Sequence, residues 1–243
     1  MKIWENAAML SIKGENGTIY PTMLWGGGGL ALVDAGFPGQ FDLISEAVKN
    51  SGFDVSDLSM LVFTHQDMDH IGCAREILKA APGAKTACHT FEAPYISGDK
   101  PPVKLAAREA TLTDDDEEGK AFVERFREGF RQKTVDIDIR LKGGDMLPFG
   151  GGAEVIHSPG HTPGHMFLYL AKQRILISGD GLNVENGALK GPNPVYTADM
   201  GLAIKSLEPL LKYDIKSVIS YHGGLFEGDV QAGVRGVIAA YTA

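Results

Sequence analysis

Apolar and polar positions along this chain fall into short runs with two spacings. Residues 10–12, 18–20 and 30–34 are brief apolar stretches broken by turn residues, which predicts early strands. The Trp25-Gly-Gly-Gly-Gly29 stretch loosely fits a dinucleotide fingerprint. It leads into a strand and not a helix, so it reads as a hairpin turn. Residues 40–50 place Phe41, Ile44 and Val48 on one side of a helix. Residues 60–64 and 84–88 read as buried strands, with a helix between them carrying Ile71, Ala74, Ile77 and Leu78. The second half repeats the theme. Strands are expected at 155–156, 166–170, 174–177 and 217–220, with helices at about 199–212 and 230–241. Strand runs with interspersed helices imply α/β layers, here in one domain over residues 1–243.

Residues 94–133 interrupt this order. Thr113-Asp-Asp-Asp116 predicts a capping box opening a helix, with acidic residues at its start and Arg125, Arg127, Arg131 and Lys133 towards its end, as the helix dipole favours. Phe122, Phe126 and Phe130 recur every four residues. That stripe packs on the domain's own core, or it walls a site or a dimer face.

The densest chemistry follows the apolar run at 60–63. Within six positions stand His65, Asp67, Asp69 and His70. Imidazole and carboxylate are the side chains that hold Zn, Fe or Mn, and so many like charges in one turn are costly without cations. The plainer alternative is a polar loop in which Asp67 or Asp69 caps a helix. Three further polar residues follow other apolar runs: His161 in the segment 158–165, Asp180 after 175–178, and His222 after 218–221. Loops at strand ends commonly carry function, because a rigid scaffold aims them. Together these residues offer four His and three Asp, enough for two metals.

In order and strand-end context this set resembles the metallo-β-lactamase superfamily, whose signature is His-x-His-x-Asp-His, then Gly-His, then Asp after a strand, then His-Gly. The resemblance covers almost the whole chain and implies a four-layer αββα sandwich with the metals at one edge of the two sheets. It implies that His65, Asp67 and His161 hold a first divalent transition metal, that Asp69, His70 and His222 hold a second, and that Asp180 bridges them. It also implies hydrolysis, with a metal-bridging hydroxide as nucleophile and with Asp69 and Asp180 as the catalytic carboxylates. Zinc is the family's usual metal. Position 67 departs from the pattern, being Asp where most members have His. Oxygen is a harder donor, so the departure shifts preference towards Fe or Mn. The flavodiiron branch has a carboxylate at that place, although this chain has no room for that branch's flavodoxin domain.

Asp180 stands where some β-lactamase classes have Cys, and another class lacks the bridging Asp, so a true β-lactamase is not expected. The reading is a binuclear hydrolase of a small ester, thioester or lactone. A diiron oxidoreductase acting on oxygen or nitric oxide is the alternative, and a metal-binding protein with little catalysis is a third. Helical insertions in related hydrolases cover the site, so residues 94–133 are expected to set substrate access and not metal binding. Tyr196 and Tyr221 are the candidate substrate contacts. His157 and His165 are expected to support ligands without being ligands, His89 to be a non-ligand, and Cys73 to be a small buried helix residue.

Composition sharpens this only slightly. With 44% hydrophobic and 22% charged residues, the 243-residue chain suits a globular enzyme with a large core. A net charge of -8 argues against a nucleic-acid partner. No run is long enough to cross a bilayer, the first residues lack a signal-peptide pattern, and two cysteines without metal-type pairing suit reduced thiols. The expectation is a cytoplasmic protein whose partner is a small-molecule substrate, with no membrane contact and a homodimer left open.

Overall fold

The computed structural model describes residues 1–242. Two sheets stack face to face. The first has seven strands in the order Lys2–Trp4, Ala7–Met9, Thr22–Gly26, Gly29–Val33, Leu58–Phe63, Lys85–His89 and Ile139–Leu141. Its last four strands run parallel. The second has six, in the order Met146–Leu147, Ala153–His157, Met166–Leu170, Ile175–Ile177, Ser217–Ser220 and Gly224–Glu227.

Side-chain alternation along the strands sorts the core into three layers. Met60 and Val62 of one sheet meet Val155, Leu168, Ile177 and Ile219 of the other between the sheets. The intervening residues Leu61 and Phe63 face outward onto Ile44 and Val48 of the helix Phe41–Asn50 and Ile77 of the helix Ala74–Ala80. On the opposite side Ile156, Phe167 and Val218 meet Ile204 and Val234 from the helices Met200–Lys205 and Val230–Thr242. The result is the expected αββα sandwich.

Several expectations need correction. The helix after residue 67 is broken into Met68–Ile71 and Ala74–Ala80. Gly72 lies at the break, where a Cβ would stand 2.3 Å from the Pro38 backbone nitrogen. The expected helix at 199–212 is likewise two pieces, Met200–Lys205 and a 3-10 turn Glu208–Lys212. Residue 10 lies outside the first small hairpin, which pairs Ile12–Gly14 with Gly17–Ile19. The strands Lys2–Trp4, Ala7–Met9 and Thr22–Gly26 were not expected, although the apolar residues 7–10 and 23–25 mark two of them. The Gly-rich segment is a hairpin turn as expected, joining Thr22–Gly26 to Gly29–Val33.

In the insertion, three helices appear: Ala93–Ile96, Val103–Glu109 and Glu117–Arg131. No capping box forms at Thr113. The cap is Asp116, whose carboxylate accepts from the Gly119 N–H, while Thr113 bonds Asp115. The Phe stripe divides along its length. Phe130 is buried against Ile77 and Ile96, Phe126 is half-buried, and Phe122 is exposed. Among the described residues no helix is long and apolar enough to cross a membrane.

Candidate metal centre

His65, His161, Asp180 and His222 each follow a strand's last residue by two to four positions, so the sandwich brings them to one edge. Their donor atoms fall into two groups. His65, Asp67, His161 and Asp180 form one, and Asp69, His70 and His222 the other. Asp180 lies between them, with one oxygen towards each. Its Oδ2 is 4.0 Å from His65 Nε2 and 3.6 Å from His161 Nε2. Its Oδ1 is 3.2 Å from His70 Nε2 and 3.5 Å from His222 Nε2. Asp67 Oδ2 is 3.1 Å from both His65 Nε2 and His161 Nε2, and Asp69 Oδ2 is 3.0 Å from His222 Nε2. Asp67 occupies the residue before the helix Met68–Ile71, but its side chain does not cap it. The loop-capping alternative therefore fails.

Hydrogen bonds behind the imidazoles decide which nitrogen faces inward. The Thr64 hydroxyl donates to Asp34 Oδ2 at 2.8 Å, so its oxygen is left to accept from His65 Nδ1 at 3.0 Å. Asp34 Oδ2 also accepts from His70 Nδ1 at 2.9 Å. Thr197 donates to the Asn193 carbonyl and accepts from His161 Nδ1 at 3.1 Å. In all three rings these bonds place a proton on Nδ1 and turn Nε2 into the cluster, the orientation a ligating histidine needs. His65 Nε2, His70 Nε2 and Asp180 Oδ1 are buried without a hydrogen-bond partner. Buried polar atoms normally have partners, so these three orphaned atoms fit a bound cation.

The electrostatics differ between the two groups. Burial, with the His70 ring, pushes His65 down to about 4, which keeps it neutral at pH 7. Burial alone would raise Asp67 and Asp180. The surrounding imidazoles, with Lys104 beside Asp67, outweigh it and hold both well below the ordinary carboxylate range. Burial works against a charged His70 too, but Asp34, Asp180 and Asp69 raise it well above the usual imidazole value, which favours a second proton on Nε2 that a bound cation would displace.

Sequence reasoning missed four residues that the structure brings to the centre. Asp34 is 1% exposed and clamps Thr64 and His70; the same signal that found Asp180, an acid ending an apolar run, marks it. Glu92 is buried beneath the loops. Its carboxylate accepts from Gln66 N and Nε2 and from Gly164 N, tying the segment of His65 to that of His161. Nothing in its sequence context distinguishes it. Thr197 sets the His161 ring as described. Lys104, from the insertion, bonds Asp67 Oδ2 and stands 3.2 Å from His161 Nε2. Those contacts bring the insertion, expected to set substrate access and not metal binding, directly onto two candidate ligands.

The other assignments divide. His165 is fully buried, bonds Ser158 Oγ through Nδ1 at 2.7 Å and accepts from the Asp180 N–H at 3.2 Å, so it positions Asp180. Burial, then the nearby His65 and His161 rings, holds it well below its ordinary value. His89 and His157 stack on each other at 3.9 Å, away from both groups. Cys73 is buried and its thiol donates to the Phe37 carbonyl. Tyr221 is corrected as a substrate contact. It is 3% exposed, its hydroxyl donates to the Asp69 carbonyl and accepts from Gly36 N, and its ring lies 3.9 Å from that of His70. Tyr196, by contrast, is exposed and lines a cavity of about 800 Å³ above the cluster. Asp67, Asp69, Asp180 and His222 lie in that cavity, and Leu105, Phe122 and Phe126 of the insertion form an apolar wall.

The sequence model of the metallo-beta-lactamase superfamily matches residues 16–222. A probable metallo-hydrolase of Bacillus subtilis (strain 168), YflN, is 27% identical over 208 residues, covering 79% of this chain and 74% of that protein. A hydroxyacylglutathione hydrolase of Hyphomonas neptunium is 33% identical over 90 residues, 37% of this chain and 33% of that protein. A metallo-beta-lactamase family protein of Thermus thermophilus superposes with a TM-score of 0.74 at 21% identity, covering 99% of this chain and 81% of that one.

Proposed function

Because this chain belongs to the metallo-beta-lactamase superfamily, and by that membership is a metal-dependent hydrolase, we propose that it hydrolyses a small ester, thioester or lactone at a centre for two metal ions. The observation that carries this reading is Asp180, whose two oxygens face two separate groups of ligand atoms. His65, Asp67 and His161 would hold one ion, Asp69, His70 and His222 the other, with Asp180 shared. When bound, such a pair supplies a nucleophilic water near neutral pH and polarises the substrate oxygen. The chain's own contribution is placement. Asp34, Thr64 and Thr197 present the Nε2 lone pairs, and His165 orients Asp180 through its backbone N–H. The wall of Leu105, Phe122 and Phe126 would take an acyl group, with Tyr196 at its mouth. The partial match to a hydroxyacylglutathione hydrolase supports an acyl substrate.

Asp67 sustains a second reading, a diiron oxidoreductase, because an oxygen donor does join the first group. Zinc is proposed on family grounds, and Fe or Mn on the hardness of Asp67. Cytoplasmic action is part of the proposal, supported by two buried free thiols, Cys73 and Cys88. Elemental analysis of protein purified without added metal, alongside an ester, thioester and lactone panel, tests it. Two transition metals per chain are expected. Asp180→Ala should lose at least one metal and nearly all turnover, whereas full occupancy and rate in that variant would sink the assignment. Iron with a redox-active visible spectrum and no hydrolysis would favour the second reading.

A further inference from the structure

Lys104 is placed where a surface lysine would not be. It lies on the helix Val103–Glu109 of the insertion. The chain on either side of it is fixed: Val103 N donates to Gln66 Oε1 at 2.8 Å, and Leu105 is buried. Its ammonium donates to Asp67 Oδ2 and to His161 Nε2, the latter at 3.2 Å. Both are atoms of the first group of candidate ligands. The His161 proton is committed to Thr197 through Nδ1, so Nε2 has a single lone pair to offer. That lone pair can serve the ammonium or a metal ion, not both. The Asp67 carboxylate is shared and not blocked, since Oδ2 keeps a further lone pair beside the one facing the ammonium.

We propose that Lys104 is an internal competitor for the first metal position, so that the insertion sets the affinity of that position and leaves the second to Asp69, His70 and His222. The proposal rests on the binuclear reading above. Loading the first position requires the ammonium to leave His161 Nε2, and a cation still held near Asp67 opposes the metal by like-charge repulsion. The second position faces neither cost. The two ions should therefore bind in sequence, the second position first.

Chelator-buffered titration of the full chain with Zn²⁺ alone, followed by calorimetry, reads this directly. The wild type should show one tight and one weaker step. Lys104→Met keeps an unbranched apolar stem and removes the charge. It should tighten the weaker step by about tenfold or more and leave the tight step unchanged. Arg108→Met is the control, since Arg108 also lines the cavity but hydrogen-bonds Thr111 of its own segment; it should change neither step. Thermal melts verify that each variant is folded. A wild type that takes one ion, with Lys104→Met gaining a second, also supports the proposal. Two ions with the same affinities in wild type and Lys104→Met, or a weaker first position in the variant, would overturn it while sparing the binuclear centre. No ion bound by either protein would overturn both.

Discussion

Asp34 offers the sharpest test of how the centre is held, because one buried carboxylate performs three tasks. Oδ1 accepts from Thr64 N at 2.8 Å, and Oδ2 accepts from the Thr64 hydroxyl at 2.8 Å and from His70 Nδ1 at 2.9 Å. Asp34→Ala leaves the Thr64 N–H and the Thr64 hydroxyl proton buried without an acceptor, because His65 Nδ1 is itself a donor, and leaves His70 Nδ1 only its 3.4 Å contact to the Thr64 oxygen. Each orphaned buried donor costs about 1–3 kcal/mol, so the variant should lose about 2–6 kcal/mol, a large share of the roughly 5–15 kcal/mol that a domain has. Asp34→Asn separates stability from chemistry. Its single oxygen can serve Thr64 N or His70 Nδ1 but not both. With the oxygen on Thr64 N, the amide nitrogen faces His70 Nδ1, which must become an acceptor. The one proton that a neutral, ligating His70 keeps then sits on Nε2, the atom that faces Asp180. The expected result is a modest stability loss of about 1–2 kcal/mol in urea together with a fall of about 10–100-fold in metal affinity. Calorimetric metal titration and urea unfolding on the same preparation measure the two. Unchanged metal affinity in a folded Asp34→Asn protein would refute the tautomer argument.

Two further outcomes follow from packing and charge. Phe130→Ala, deep against Ile77 and Ile96, should cost about 3–5 kcal/mol in urea unfolding, whereas Phe122→Ala at the cavity wall should cost less than about 0.5 kcal/mol and raise KM for larger acyl groups; similar losses at both positions would contradict the divided stripe. Burial, then the stacked His157 ring, holds His89 down to about 4 from an ordinary 6.5. A depressed imidazole gives stability that is complete above pH 6.5 and drains away as pH falls towards 4, where the unfolded chain takes up a proton that the folded one refuses. The Tm of His89→Asn should therefore fall less over that window than the wild type's, and parallel profiles would dismiss His89 as a contributor.

The candidate ligands were legible in the sequence because they cluster in polar segments that open just beyond apolar runs, where the chain must leave the sheet. Asp180 and His222 needed only that local contrast, and so did Asp34, which the run 30–34 absorbed as if it ended a strand. Tyr221 carried the same signal and misled, because position beside a ligand does not tell which way a side chain points. The turn after Ser217–Ser220 that aims His222 at Asp69 turns its neighbour inward onto His70. Glu92 and Lys104 were illegible for a different reason. Their partners are 26 and 37 residues away along the chain in the same loop, Gln66 and Asp67, and no periodicity links positions that meet only because an insertion folds back. The substitution of Asp for His at position 67 therefore could not be interpreted by itself. On sequence grounds it speaks of a harder metal. Beside Lys104 it is also one half of an ion pair, and a histidine there would leave that ammonium facing neutral or cationic rings. Whatever metal the first position takes, its affinity is a joint property of the motif and of a helix that the motif does not contain.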